Sequence, residues 1–304
     1  MGEHKLNNAN ITKSIQELNK ILGTQVSLPD IAGSDKDEIA KNLADLISAY
    51  KEKNDVSSFL QSLILGKVLQ DKVKDYAKKF HIAIDERRAL LLLELKEADG
   101  YEVMPILKGM FPSRSKVNLV MMDARRIALL IPLNKRENIG SVKDYAKSIE
   151  STINAEAMIG IHIASGEIFD SLYVIDKAYD EALYAMRVGK MFQYGNYIFS
   201  FSNLGIGRLI AEAPYDSCLK FLGEVFGEEI PDSIDEDTFL VVNAFLKNNL
   251  NIAETSRALH MHRNTLIYRM EQIHKNMGLD IRNFEEAMTL KIAIMVLNYL
   301  NQMK

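Results

Sequence analysis

Apolar positions fall into three regimes along the chain. Up to about residue 55 they recur at helical spacing in a polar background. The first stripe is Ile11, Ile15, Leu18 and Leu22; the second is Ile39, Leu43, Leu46, Ile47 and Tyr50. Ser27–Asp30 and Ala32–Ser34 break the chain between them. The second stripe reads as an ordinary packing face, with a dimer seam as the alternative. One further helix is expected over Val56–Lys79, with Phe59, Leu60, Leu63, Ile64, Val68, Val73 and Tyr76 as its apolar set.

From about 80 to 205 strands and helices alternate. Arg88–Leu95 reads as a buried strand and Tyr101–Phe111 as a helix. Lys116–Met122 and Arg126–Ile131 are β-rich runs separated only by Asp123–Arg125, a hairpin signal. A helix over Ser141–Asn154, a strand over Met158–Ile163, a helix over Ile175–Gly189 and a strand over Tyr197–Phe201 complete the set. The order is β-α-β-β-α-β-α-β, and its first six elements are the split βαβ, ferredoxin-like arrangement. Beyond 206 the pattern is helical, interrupted at Pro231–Asp235. The fold class expected is α+β: a ferredoxin-like α/β middle domain followed by an all-α domain. The domains expected are 1–55, a helical segment; 56–205, the α/β domain; and 206–304, the helical region.

Composition narrows the functions. The 304 residues carry a net charge of −4, so there is no global basic footprint. Any nucleic-acid function must sit in a local patch. Cys218 is the one cysteine, which excludes an intramolecular disulfide and a Cys-rich zinc site. It lies in the helical pattern Tyr215–Phe226 and reads as structural. The start, MGEHKLNNAN, is polar, and the sequon at Asn10–Thr12 reads as chance. The longest apolar runs, Ala89–Leu93 and Ile292–Val296, fall far short of the roughly 20 residues of a membrane helix. A cytoplasmic protein without a membrane partner is expected. Gly205-Ile-Gly207 lacks the third glycine of a dinucleotide fingerprint, and no Walker A, H-E-x-x-H or G-x-S-x-G string occurs. No catalytic residue, metal or cofactor is expected.

The informative stretch is Asp235–Leu279. Phe239, Val242, Phe245 and Leu246 mark one helix, ended by Lys247–Asn249. Asn251-Ile-Ala-Glu254 reads as a capping box opening a short helix to about Leu259. His260–His262 make a turn, and a longer helix runs from about Arg263 to Met277, with Gly278 as its left-handed cap. Short helix, three-residue turn and longer helix form a helix-turn-helix. Ile252, Ala258 and Leu259 are expected to face Met261, Leu266, Met270 and Ile273. That leaves His262, Arg263, Asn264, Thr265, Tyr268 and Arg269 for DNA, with 265, 268 and 269 on one exposed face. Arginine pairs with guanine and asparagine with adenine, while threonine and tyrosine suit methyl or phosphate contacts. Residues 251–277 hold Arg257, Arg263, Arg269 and Lys275 against Glu254 and Glu271, with three of the six histidines. Asn283-Phe-Glu-Glu286 reads as a second capping box, opening a last helix to about Leu300 that is apolar on nearly all sides.

The motif His262-Arg-Asn-Thr-Leu266, then Tyr268-Arg269, Gly278-Leu279 and Arg282-Asn-Phe284, resembles the C-terminal DNA-binding domain of the PucR-type regulators, the purine-catabolism and carbohydrate-diacid regulators. The resemblance covers about the last sixty residues. It implies a Fis-like helix-turn-helix within about 235–304. His260 departs from Fis-like turns, where glycine is frequent, so it must accept a positive φ or shift the turn.

The middle domain resembles the GGDEF-type nucleotide-cyclase fold through Met158–His162, the D-x-A-L-Y-like Asp180–Tyr184, Gly189 and the hairpin Asp123–Pro132. Aligned on Pro132, the two glycines of the signature become Asp123 and Ala124, and its two acids become Arg125 and Arg126. Glu94 stands on the first strand, but its acidic partner is missing. Phosphoryl transfer of that kind needs carboxylates to hold Mg²⁺, so two arginines invert the charge required. Arg125 and Arg126 read as a solvated turn; binding an anion, or acids across a dimer, is the alternative. His162 reads as a core or edge histidine.

The function expected is sequence-specific binding of a double-stranded DNA operator by a homodimeric transcriptional regulator. The alternatives are a small-ligand or second-messenger sensor acting through protein partners, and a residual cyclase-like enzyme. The family often carries a sensory domain before the GGDEF-like one. About 55 residues are too few for it, so either a small-molecule effector binds elsewhere or control is by a protein partner or by abundance.

Overall fold

The computed structural model describes residues 55–192 and 195–303. The stripes at Ile11–Leu22 and Ile39–Tyr50 lie outside the described residues. The chain divides into two compact units, one ending at Leu183 and one beginning at Tyr184. Among the described residues no helix is long and apolar enough to cross a membrane.

The first unit opens with α1 (Val56–Ile64) and α2 (Gln70–Lys79), where the pattern predicts one continuous helix. The break is chemical. Gly66 takes a φ of +64°, its N–H bonds the Leu63 carbonyl, and the Lys67 N–H reaches back to Ser62. This is the paired closure of a Schellman cap, which glycine adopts without a Cβ penalty. Phe59, Leu60, Leu63 and Ile64 are buried on α1. The Gln61 amide donates to the carbonyls of Met121 (2.9 Å) and Met122 (3.2 Å). It thereby occupies acceptors at the end of an edge strand that would otherwise invite another chain.

The strands are β1 (Asp85–Leu95), β2 (Asn118–Met121), β3 (Arg126–Pro132), β4 (Ile161–Ser165) and β5 (Phe169–Ser171), with α3 (Gly100–Met110) and α4 (Ile139–Ala157) between them. They order as β2-β3-β1-β4, with all pairings antiparallel. The hairpin β2–β3 thus returns a strand into the gap between β1 and β2, the split βαβ arrangement. β1 is buried from Arg88 through Leu93, on alternate faces, so both of its faces are covered. Its partner on one side is a bent strand in two pieces. β4 pairs Leu91–Leu95 and β5 pairs Asp85 and Arg88, with an irregular register between. Arg88 is only 2% exposed; it pairs with Glu86 and donates to the carbonyls of Ala83 and Glu86. Burial pushes its pKa down and Glu86 opposes this. The strand expected from Met158 begins only at Ile161, because Met158 adopts the left-handed region (φ 57°) and caps α4.

The second unit takes up the chain within α5 (Ile175–Phe192), followed by β6 (Ile198–Ser200), α6 (Ile206–Glu212), α7 (Tyr215–Phe226), α8 (Glu236–Lys247), α9 (Ile252–Ala258), α10 (Arg263–Met277) and α11 (Phe284–Met303). The last helix is buried on two sides. Ala287, Leu290 and Ile294 join a core with Phe239, Val242, Phe245, Leu266, Met270 and Ile273. Ala293, Met295, Val296, Leu297 and Leu300 join another with Ile210, Cys218 and Leu222. A helix apolar nearly all round is buried on more than one face, and here both faces are filled from its own unit. Cys218 is buried, and burial pushes its thiol up, so it is a packing residue.

The caps of α2, α8 and α9 repeat the closure at Gly66, with His81 (φ 56°), Asn249 (φ 53°) and His260 (φ 52°) in the glycine position. At His260 its own N–H bonds Arg257 and the Met261 N–H bonds Ser256. The turn therefore accepts the positive φ. A non-glycine residue there costs about 1–2 kcal/mol, more than glycine's extra entropy of about 0.5–1 kcal/mol. His260→Gly is expected to raise the thermal midpoint of the second unit; an unchanged or lower midpoint would contradict the strain argument. Gly166 carries the opposite prediction. A Cβ there would stand 2.4 Å from the Ala178 carbonyl oxygen, a backbone atom of α5 that cannot step aside. Gly166→Ala is expected to lose about 1–3 kcal/mol in denaturant titration. Gly223→Ala, where a Cβ meets nothing within 4 Å, should gain about 0.5–1 kcal/mol.

Candidate nucleic-acid interface

Helix α8 starts at Asp235, whose carboxylate accepts from the Thr238 N–H (2.8 Å) and hydroxyl (2.7 Å). The Thr238 side chain is the leading reason that this carboxyl is held below the usual range. After the left-handed Asn249 and Leu250, Asn251 caps α9 by accepting from Ala253 and Glu254. The reciprocal half of the expected capping box does not form. The Asn251 N–H bonds the Asn248 carbonyl, and Glu254 pairs with Arg257.

The stripe of α9 that enters the core also differs from expectation. Ile252, Thr255, Ser256 and Leu259 are buried or half-buried, while Ala258 is exposed. Spacings of three, one and three put those four on one face, and Ala258 far around the helix. The buried hydroxyls carry no polar penalty, because Thr255 donates to Asn251 (2.8 Å) and Ser256 to Ala253 (3.0 Å).

Helix α10 has the predicted bounds. His262 caps it, its Nδ1 accepting from Asn264 at 3.3 Å, and Gly278 ends it in the left-handed region. Leu266, Met270 and Ile273 face inward. Opposite them, Asn264 and Tyr268 point to solvent, Tyr268 with 61% exposure. His262, Arg263 and Thr265 are exposed around the same end. Arg263 pairs with no carboxylate among the described residues. The helix therefore presents five of the six predicted residues as one exposed group at its N-terminal end.

Arg269 is different. Like Arg263 it lies about 60° around the helix from Leu266, but its side chain is only 33% exposed. Its Nη1 is shut off from solvent and has no hydrogen-bond partner; it lies 3.0 Å from a carboxylate oxygen of Asp237 on α8, an ion pair without hydrogen-bond geometry. Nothing in the local sequence announces this pairing across 32 positions. Of the four cations counted over 251–277, Arg269 is thus held by α8, while Arg257 pairs with Glu254 on its own helix and stays 71% exposed. The loop after α10 is tied similarly, Arg282 donating to both oxygens of Asp280, while Ile281 is fully buried. At the second expected box, Asn283 accepts from Glu285, but Glu286 reaches the Asp280 N–H and the Asn283 amide instead of the Asn283 N–H.

The GGDEF-like turn has its own chemistry. Asp123 accepts from the backbone of Arg125 and Arg126 at 2.9 Å each, and pairs with the Arg126 side chain at 2.6 Å. Burial opposes ionisation, but the Arg125 N–H and Arg126 hold this carboxyl below its ordinary value. The carbonyls of Ala124 and Arg125 accept from Gly100 and Leu95. Glu94 stands in register between Arg126 and His162 on neighbouring strands. Arg126 thus takes its acid from its own turn, and Arg125 is exposed.

Two family models match the chain. One, described as a GGDEF-like domain, covers residues 66–188, and one, described as the PucR C-terminal helix-turn-helix domain, covers residues 240–296. The chain is 21% identical over 246 residues to the purine catabolism regulatory protein of Bacillus subtilis (strain 168), covering 74% of this chain and 45% of that protein. It is 21% identical over 269 residues to the DNA-binding transcriptional activator AdeR of the same organism, covering 84% and 63%. It is 22% identical over 246 residues to the carbohydrate diacid regulator of Escherichia coli (strain K12), covering 77% and 63%. The chain spans less than two thirds of the length of each of these relatives. The hairpin thus lies in a stretch that matches a GGDEF-like domain, and the helix-turn-helix in one that matches the PucR C-terminal helix-turn-helix domain.

Proposed function

We propose that the chain is a sequence-specific DNA-binding transcriptional regulator that enters the major groove with the N-terminal end of α10. The observation that carries this reading is the exposed group His262, Arg263, Asn264, Thr265 and Tyr268, on a helix whose opposite stripe is buried in its own domain. Such a helix can leave its polar face for a partner without uncovering apolar surface. Arg263 and Asn264 are the base-reading residues, since both side chains can make two parallel hydrogen bonds to one base edge. Thr265, Tyr268 and His262 serve phosphate and sugar. The positive end of the helix dipole adds to the attraction. Two copies, as a homodimer, would bring two such helices to half-sites about one duplex turn apart. The names of the relatives, a purine catabolism regulatory protein, a transcriptional activator and a diacid regulator, support the same reading. Cytoplasmic localisation follows from it.

The GGDEF-like domain serves as a non-catalytic module in this reading. The turn that would hold Mg²⁺ and nucleotide carries Arg125 and Arg126, and its one acid, Asp123, is occupied by its own turn. Incubation with Mg²⁺ and GTP is expected to give no cyclic or linear nucleotide product; turnover abolished by Glu94→Gln would overturn this assignment.

Selection of bound duplexes from a random pool is expected to enrich one motif. Affinity for it should fall steeply with salt and exceed that for random duplex by about 10³ or more. Folded protein that enriches nothing, or whose binding ignores salt, would point to a protein partner for the helical face. Arg263→Ala is expected to cost about 1–3 kcal/mol on the selected motif and to relax preference at one base position. Equal binding of cognate and random duplex by variant and parent alike would refute the docking.

A further inference from the structure

We infer that Arg269 and Asp237 form a positioning pair that fixes the roll of α10 against α8, so that Arg269 serves DNA recognition without touching DNA. The inference rests on the proposed function and refines it.

The contacts that hold α10 are otherwise apolar. Leu266, Met270 and Ile273 meet Phe239, Val242 and Phe245 of α8 and Leu290 and Ile294 of α11. Close packing of these side chains sets which face of the helix is buried, and a polar contact beside them restricts the rotation that side-chain adjustment still allows. With a radius of about 5–6 Å including side chains, a roll of roughly 10° moves a side-chain tip by about 1 Å. That is enough to spoil a two-point hydrogen bond to a base. The Arg269–Asp237 contact lies beside this apolar stripe and joins α10 directly to α8. Both residues line a cleft of about 240 Å³ whose polar lining also includes Asp235, Thr238, Gln272 and Asn276. Nη1 is withdrawn from solvent, whereas Asp237 remains 67% exposed. The arginine is thus the committed partner, turned away from the open face that carries Asn264 and Tyr268. A phosphate contact through Nη1 would require it to leave Asp237.

The two roles predict opposite signs. If Arg269 bound phosphate, Asp237→Asn would free it and remove a repelling charge, so DNA binding would hold or tighten. Arg269→Met would then lower the slope of log affinity against log salt by about 0.9. For a positioning pair, Asp237→Asn and Arg269→Met each weaken binding to the selected motif, about five- to tenfold. Random-duplex affinity and the salt slope stay near those of the parent. The double variant is no weaker than either single one, the signature of coupled residues.

The experiment measures the full-length parent, both single variants and the double variant on the selected motif and on random duplex. Three salt concentrations are used, well below each variant's unfolding temperature. Hydrogen exchange of the α10 amides is followed in the same four proteins. Weaker cognate binding by Asp237→Asn, with coupling in the double variant and faster α10 exchange in each single one, is the expected result. Tighter or unchanged binding by Asp237→Asn, additive effects, or a reduced salt slope in Arg269→Met would overturn the pair. A parent that binds no duplex would refute the DNA reading instead. The pair would then be judged by exchange alone, and unaltered α10 protection in both single variants would overturn it too.

Discussion

A helix with one apolar stripe can belong to one core; α11 has two and belongs to two. Through Leu290 and Ile294 it closes the core of the helix-turn-helix, and through Ala293, Val296, Leu297 and Leu300 it closes that of α6 and α7. The short helices α6 and α9 have seven residues each, too few to be stable alone in water. They persist because burial against longer neighbours offsets their ordering entropy. The exposed end of α10 depends on the same arrangement. Its polar face stays available only because Leu266, Met270 and Ile273 are satisfied within the unit.

In the first unit the corresponding constraint is the length of β1. Eleven residues are too many for one short neighbour, so the opposing strand bends into β4 and β5 with an irregular register. Gly166 sits just after β4, where α5 approaches so closely that a Cβ would strike the Ala178 carbonyl. The hairpin on the other side is closed by Asp123, whose carboxylate satisfies two turn N–H groups and one arginine together. Both partners of that ion pair are partly exposed, so it contributes little energy. Its larger consequence is local: the one carboxylate of this turn is engaged by the turn's own N–H groups and arginine.

Legibility followed the range of the interactions. α10 was readable to the residue because each end is marked locally, by the turn before Arg263 and by Gly278. β1 was readable because an uninterrupted apolar run has few alternatives. The break after Ile64 was not, since one glycine in a helical pattern is often tolerated, and only the hydrogen bonds of Gly66 and Lys67 show that it ends the helix. β5, three residues long, carries no periodicity at all. The burial of Thr255 and Ser256 ran against composition, which favours Ala258, because helical phase outweighs polarity once hydroxyls can bond their own backbone. The partner of Arg269 was beyond reach, since an ion pair across 32 positions leaves no local trace.

That last contact changes how the charge of the domain is understood. Counted along the sequence, α9, α10 and their turn carry four cations against two acids. In the fold, Asp237 takes Arg269, while Arg257, paired with Glu254, stays 71% exposed alongside the exposed Arg263 and Lys275. Under the proposed function, non-specific attraction to duplex scales with the phosphates neutralised, and Arg269 held by Asp237 is one cation fewer for them. Discrimination then falls on base contacts, whose geometry is exacting, and therefore on whatever fixes the rotation of the helix that makes them. In that reading, Arg269 held against α8 gives up one phosphate contact and keeps the orientation on which base reading would depend.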